Sequence, residues 1–274
     1  MASILDQIVS ETRARLARGM SASRRAELET MAARHRPRGF RNHLLERAKI
    51  RPAIIAELKK ASPSRGLIRE DFQVSDLAIE MEQAGAAALS VLTETAHFRG
   101  SLENLAVASR NVSIPCLRKD FIVDELQLLE ARAYGADAAL LIVAVLTDSE
   151  MKHLADAARR SELDVLCEVH NEDELQRALS CGFETIGVNN RDLRTFEVTI
   201  ETSIRLNANI PLGALRVAES GIHSGADVAR LRSVGYQAFL VGESLMKQPS
   251  PGEALRKLLA DASSREPKRE AATQ

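Results

Sequence analysis

One phrase recurs along the chain: a helix-like stretch, a glycine, then a short apolar run. It occurs as EQAGAAALSVLT, RAYGADAALLIVAV, LSCGFETIGVNN and RSVGYQAFLVG. Its glycines, Gly85, Gly135, Gly182 and Gly235, follow one another at intervals of 50, 47 and 53 residues. Glycine suits that place because the left-handed turn that ends a helix strains any residue carrying a Cβ. Intervals of that length hold two strand–helix units, so a further strand is expected between successive glycines.

Apolar runs bounded by turn residues supply those strands. They cover residues 53–57, 87–92, 114–118, 138–145, 164–169, 185–188, 215–219 and 238–241. They are near-continuous and not alternating, as parallel strands buried on both faces are. Helical periodicity fills the gaps at 74–84, 102–110, 125–134, 148–160, 172–180, 200–206 and 225–234, and a last helix begins near Pro251. Ser75-Asp76 and Asp148-Ser149 stand where helix-starting residues belong. Eight strands alternating with eight helices is the count of a closed (β/α)8 TIM barrel of the α/β class. An open doubly wound sheet is the competitor, and the lack of G-x-G-x-x-G after the first strand counts against it.

The length of 274 residues accommodates one such barrel with additions, since these folds run to about 250 residues as a unit. Residues 1–262 are therefore read as one domain, with an N-terminal helical extension over 1–50, the barrel over 51–262, and a disordered tail over 263–274. In the extension Ile4, Leu5, Ile8, Val9, Thr12 and Leu16 share one helical face, which needs something to bury against. The basic stretch from Arg24 to Arg36 also carries Glu27 and Glu29, so it is read as a solvated helix face in preference to a nucleic-acid arm. A short helix over 40–49 follows.

Composition excludes several functions. Thirty-seven basic residues against 38 acidic ones leave a net charge of −1, without the bulk attraction that nucleic acid or an anionic membrane requires. Seven Phe, two Tyr and no Trp are too few for a base-stacking platform. The longest apolar run, 138–146, is too short to cross a bilayer, and the N-terminus has no apolar segment of the signal-peptide kind. Cys116, Cys167 and Cys181 form no C-x-x-C and are read as reduced thiols of a cytoplasmic protein. His97, His153, His170 and His223 fall on different elements, so no metal site is expected; His170 is read as a group behind the site or on the surface.

Active sites of such barrels lie at the carboxyl ends of the strands, and here those ends are polar. Glu57 and Lys59, two apart, share a face of the first strand. Lys119 and Phe121 do so at the third, Glu168 aligns with Leu166 at the fifth, and Asn189 with Arg191 at the sixth. The seventh strand ends in AESG, with Glu219, and the eighth in VGES. One polar residue can simply mark where a strand meets water. Six strands ending in functional groups are harder to dismiss, because charges near a barrel mouth lose hydration at several kcal/mol each unless paired. Ser220-Gly221 and Gly242-Glu243-Ser244 offer small residues and open backbone N–H groups where many barrels hold a phosphate, and 243–246 has the look of the short helix that assists.

Seven segments now fall into a recognisable order: KKASPSRG, LTE with F-x-G-S, LRKDFIVD, EVHNEDEL, GVNNRDL-x-TF, ESGI and FLVGESLM. Over about residues 54–246 they resemble the indole-3-glycerol phosphate synthases of tryptophan biosynthesis, a family that the helical extension also suits. Gly39 and Thr199 depart from it, each standing where Asp is common. The resemblance implies a carboxy-lyase that converts 1-(2-carboxyphenylamino)-1-deoxyribulose 5-phosphate to indole-3-glycerol phosphate, CO2 and water without a cofactor. It implies Lys119 as general acid, with Glu57, Glu168, Lys59 and Asn189 completing the catalytic set. Which of Glu57, Lys59 and Glu168 handles which proton is left open. It further implies Phe98 and Phe121 as walls for the anthranilate ring, and Ser62, Arg191, Glu219, Ser220 and Leu240 as further substrate contacts. Gly221, Gly242, Glu243 and Ser244 are then the phosphate donors. The expected partner is the small-molecule substrate alone, bound by a monomer or weak homo-oligomer. Three rivals stand beside this reading: a Schiff-base aldolase using Lys119 or Lys59, phosphoribosylanthranilate isomerase, which needs a Cys/Asp pair, and a phosphate sensor, which needs no acid or base.

Overall fold

A computed structural model of the chain describes residues 3–193 and 195–265. Eight parallel strands close into a barrel: β1 (Ala53–Leu58), β2 (Ala88–Leu92), β3 (Cys116–Lys119), β4 (Ala138–Ile142), β5 (Asp164–Val169), β6 (Thr185–Asn189), β7 (Leu215–Glu219) and β8 (Ala238–Val241). Closure is made at Ile55, which pairs with Ala88 on one side and Leu240 on the other. The crossover helices are α4 (Val74–Ala84), α5 (Leu102–Asn111), α6 (Glu125–Ala133), α7 (Asp148–Arg160), α8 (Glu172–Ser180), α9 (Glu201–Leu206), α10 (Gly225–Ser233) and α12 (Pro251–Ser264), with the one-turn α11 (Glu243–Met246) after β8. Gly85, Gly135, Gly182 and Gly235 all have positive φ just beyond helix ends, which is why the phrase that opens the sequence recurs.

Strand alternation sorts the side chains. Ile55, Leu117, Leu140, Leu166, Val217 and Leu240 meet one another and Phe40 and Leu44 in one buried cluster, the barrel interior. Their neighbours Ile54, Cys116, Leu141, Cys167 and Ala218 join the larger cluster beneath the helices. Advancing two residues along the inward rows brings Glu57, Lys119, Glu168, Asn189 and Glu219 to the carboxyl end.

The extension forms α1 (Ile4–Ala17), α2 (Ala22–Arg34) and α3 (Phe40–Ile50). α3 stoppers the amino-terminal end of the barrel with Phe40 and Leu44, both fully buried. α2 lies along α6 and keeps its arginines outward, Arg24 on Glu27 at 2.6 Å and on the Tyr134 hydroxyl at 2.8 Å. The tie to the barrel floor is Asp137, whose buried carboxylate accepts from the Arg38 backbone and guanidinium and from the Cys116 N–H, with His35 Nε2 at 3.2 Å. Burial pushes the Asp137 pKa upward, but these donors outweigh it and hold the group below the ordinary carboxylate value.

Three boundaries differ from the sequence reading by two residues or more. The run 138–145 is strand only to Ile142 and then turns as a 3-10 helix over Val143–Val145. The Arg177 guanidinium takes the carbonyls of Val143 and Leu146 there, so no neighbouring strand is needed to satisfy them. β3 starts at Cys116 and not at 114, because Pro115 has no N–H to give a ladder. The C-terminal helix continues through Ser264, into the stretch expected to be disordered; the tail from 266 onward lies outside the described residues. No helix among those described is long and apolar enough to cross a membrane.

Candidate active site

A cavity of about 280 Å³ opens at the carboxyl end of the barrel, and all the candidate catalytic, substrate-binding and phosphate-binding residues named above line it. At its floor five strands converge. Lys119 Nζ on β3 lies 3.2 Å from Glu168 Oε2 on β5 and 3.8 Å from Glu219 Oε2 on β7. Asn189 on β6 donates to Glu168 Oε1 at 3.2 Å. Just past the end of β1, Lys59 Nζ meets Glu57 Oε1 of that strand at 2.5 Å, as two residues in the same phase allow. Burial alone would lower the Lys119 pKa, but the carboxylates of Glu168, Glu219 and Glu57 overcome it and raise the group well above its ordinary value. The lysine therefore stays an ammonium.

The two glutamates beside it move apart. Burial raises Glu168, yet Lys119, His170 and the Asn189 amide reverse this and bring it well below the usual carboxylate range. Glu219 is buried, lies near the charges of Glu168 and Glu57, and is pushed up to about 8 despite Lys119. Two acids 3–4 Å from one cation thus hold different protonation states at neutral pH. Gly187 on β6 makes the space: a Cβ there would collide with Glu219 Oε1 and stand 3.1 Å from Leu166 Cδ1. Gly242 does the same for Glu57, whose Oε1 would lie 2.5 Å from an added Cβ.

Above this floor Phe98 and Phe121 form an apolar wall, their ring centroids 6.1 Å apart and their planes tilted by 44°. Leu240 lines the same cavity. On the opposite side Ser220 and Gly221 both adopt positive φ, 62° and 74°, a strained turn for the serine. Ser244 donates from its hydroxyl to the Ile222 carbonyl at 3.1 Å, pinning α11 against that turn. The first N–H groups of a helix have no partner within it, and Gly242, Glu243 and Ser244 at the start of α11 line the cavity. The Glu243 carboxylate gathers Arg65 at 3.1 Å, Lys247 at 2.5 Å and Arg191 at 3.8 Å. Burial, the largest single influence, raises its pKa, but Lys247, Arg65 and Lys59 together bring it below the ordinary carboxylate value. Ser62 sits on a two-residue ladder formed by Ala61–Ser62 and Gly66–Leu67 in the loop after β1.

Several lining residues escape a reading of the sequence. Ile4, Leu5 and Ile8 of α1 reach the cavity; their helical face is legible, but nothing in the chain says where it packs. Arg65, Phe196 and His223 enter from loops. His170 turns out to be 9% exposed and beside Glu168, with Nε2 at 3.2 Å from Oε1. No group of three or more His, Cys, Asp or Glu residues among those described could hold a metal ion.

Comparison with known sequences points to one family. A family model described as indole-3-glycerol phosphate synthase matches residues 5–258. Among curated proteins the chain is similar to the indole-3-glycerol phosphate synthase of Koribacter versatilis, 61% identical over 94% of this chain and 100% of that one. It is also similar to that of Aromatoleum aromaticum, 47% identical over 94% and 99%. Among solved structures, the 3-hexulose-6-phosphate synthase of Salmonella typhimurium superposes with a TM-score of 0.63 over 78% of this chain and 100% of that one, at 14% identity. That likeness speaks to the barrel alone.

Proposed function

The chain belongs to the indole-3-glycerol phosphate synthase family, and from that premise we propose how its own residues divide the work. The reaction is a carboxy-lyase step of tryptophan biosynthesis: 1-(2-carboxyphenylamino)-1-deoxyribulose 5-phosphate is closed to indole-3-glycerol phosphate with loss of CO2 and water.

Lys119 is the general acid. The aromatic carbon bearing the carboxylate attacks the ribulose carbonyl, and the ammonium donates to the carbonyl oxygen as negative charge builds there. Ring closure leaves an iminium, which takes up the electron pair released with CO2, so this step needs no cofactor. The hydroxyl formed from the carbonyl then leaves as water, and the adjacent carbon gives up a proton. Glu168, ionised and within reach of Lys119, suits the base; Glu57 with Lys59 suits the second acid–base pair, and the carboxylates also steady the cationic nitrogen. Asn189 orients Glu168. Glu219, neutral at pH 7, is a hydrogen-bonding contact to the substrate.

Phe98, Phe121 and Leu240 take the anthranilate ring. Ser62, Ser220 and Arg191 contact substrate oxygens. The amides of Gly221, Gly242, Glu243 and Ser244 receive the phosphate, with Arg65 and Arg191 close enough to exchange the Glu243 carboxylate for it. The near-balanced charge supports a reading without a nucleic-acid partner, the free thiols support a cytoplasmic location, and the assembly expected is a monomer or weak homo-oligomer.

The observation that carries this assignment is the Lys119 ammonium held between Glu168 and Glu219 at the cavity floor. Lys119→Ala is expected to lower kcat for indole formation by about 10²-fold or more, with the circular dichroism spectrum of the folded protein retained. A folded variant with near wild-type kcat removes Lys119 from the role.

A further inference from the structure

Behind Glu168, on the side away from the cavity centre, stands a group that the reaction does not touch. His170 follows β5, and its ring reaches two carboxylates at once. Nδ1 lies 2.9 Å from Glu174 Oε2, which also accepts from the His170 backbone N–H at 2.9 Å. Nε2 lies 3.2 Å from Glu168 Oε1, a charge contact outside hydrogen-bonding angles. Glu174 is itself fixed, its Oε1 accepting from the Asn171 amide at 2.7 Å and its backbone N–H donating to Asn171 Oδ1 at 2.9 Å. A ring with a carboxylate beside each nitrogen is best served by an N–H at each.

We propose that His170, clamped by Glu174, is a positioning residue: a fixed cation that holds Glu168 in its carboxylate form and turned toward Lys119. This rests on the assignment of Glu168 above. The charged groups facing Glu168 are Lys119 on β3, Glu219 on β7 and His170; those facing His170 are Glu168 and Glu174 on α8. Burial opposes a charged imidazole, but the two carboxylates raise His170 to about 10, so it is an imidazolium through the neutral range. Its value to the reaction follows from Lys119. As that ammonium gives up its proton, Glu168 loses one of the two cations 3.2 Å from it, and the remaining one keeps the proton from passing to the carboxylate in place of the substrate oxygen.

The test is the pH profile of kcat and KM in His170→Gln and Glu168→Gln. An opposite charge at this distance lowers a carboxyl pKa by about 1 to 3 units. Without it the acid limb of kcat is expected to move up the pH scale by that interval, with KM changed less than threefold. Histidine nitrogen-15 NMR of the wild-type holds the proposal testable if His170→Gln does not fold, and the His170 ring is expected to carry both protons at pH 8. A folded His170→Gln with an unmoved acid limb overturns the proposal, as does a singly protonated ring at pH 8. If Glu168→Gln retains near wild-type kcat, the underlying assignment fails instead, and the two failures are separate results.

Discussion

Glu219→Gln exchanges a buried acid for an uncharged group of the same shape. Glu219 is 1% exposed, and its environment carries its pKa from 4.5 to about 8. Between those values the folded protein retains a proton that the unfolded chain has released, so folding stability falls as pH rises through the window. The loss is complete only above the folded value and absent below the unfolded one. At about 1.4 kcal/mol per pH unit over that interval, the cost of Glu219 is about 1 kcal/mol at pH 5 and about 4 kcal/mol at pH 8. Glutamine carries a donor and an acceptor, as the neutral carboxyl does, and no titration. The stability advantage of the variant should therefore widen by about 3 kcal/mol from pH 5 to pH 8, or roughly 6–12 °C in Tm. Thermal unfolding of both proteins at pH 5, 6, 7 and 8 measures it. A difference that stays flat with pH, or shrinks toward alkaline pH, refutes the placement of the proton on Glu219.

Two further substitutions probe what supports the site. Gly187→Ala puts a methyl group against Glu219 Oε1 and Leu166; it is expected to cost about 1–3 kcal/mol of stability by overpacking and to lower kcat by displacing Glu219, and unchanged steady-state kinetics would contradict this. Asp137→Ala strands Arg38 and the Cys116 N–H at the floor of the barrel; urea denaturation should show a loss of about 3–5 kcal/mol, while a change under 1 kcal/mol would mean that the extension is held elsewhere.

Periodicity carried the sequence reading far, for a physical reason. In a closed barrel each strand faces side chains in one direction and helices in the other, so burial on both faces writes a continuous apolar run, and the first polar residues after it mark the mouth. Glu57, Lys119, Glu168, Asn189 and Glu219 are legible in that way because each extends an inward row already set by Ile55, Leu117, Leu166, Gly187 or Val217. Their convergence is a consequence of closure, and the structure confirms that they share one cavity. What the chain does not write is which group stands behind which. His170 stands just past the end of β5, and its partner is the fourth residue on, within a helix start that reads as an ordinary capping pattern. Gly187 resembles any strand glycine until Glu219, from the next strand, is seen to occupy the volume its side chain would fill. Asp137 precedes β4 like many turn acids, and its partner Arg38 is 99 residues earlier. The apolar face of α1 states that it must be covered without stating that it covers the substrate cavity. In each case the missing information is a pairing between elements, and it decides the quantity that chemistry depends on: Glu168 and Glu219 are the same residue type at the mouth of one barrel, and only their neighbours push the pKa of one down and of the other up.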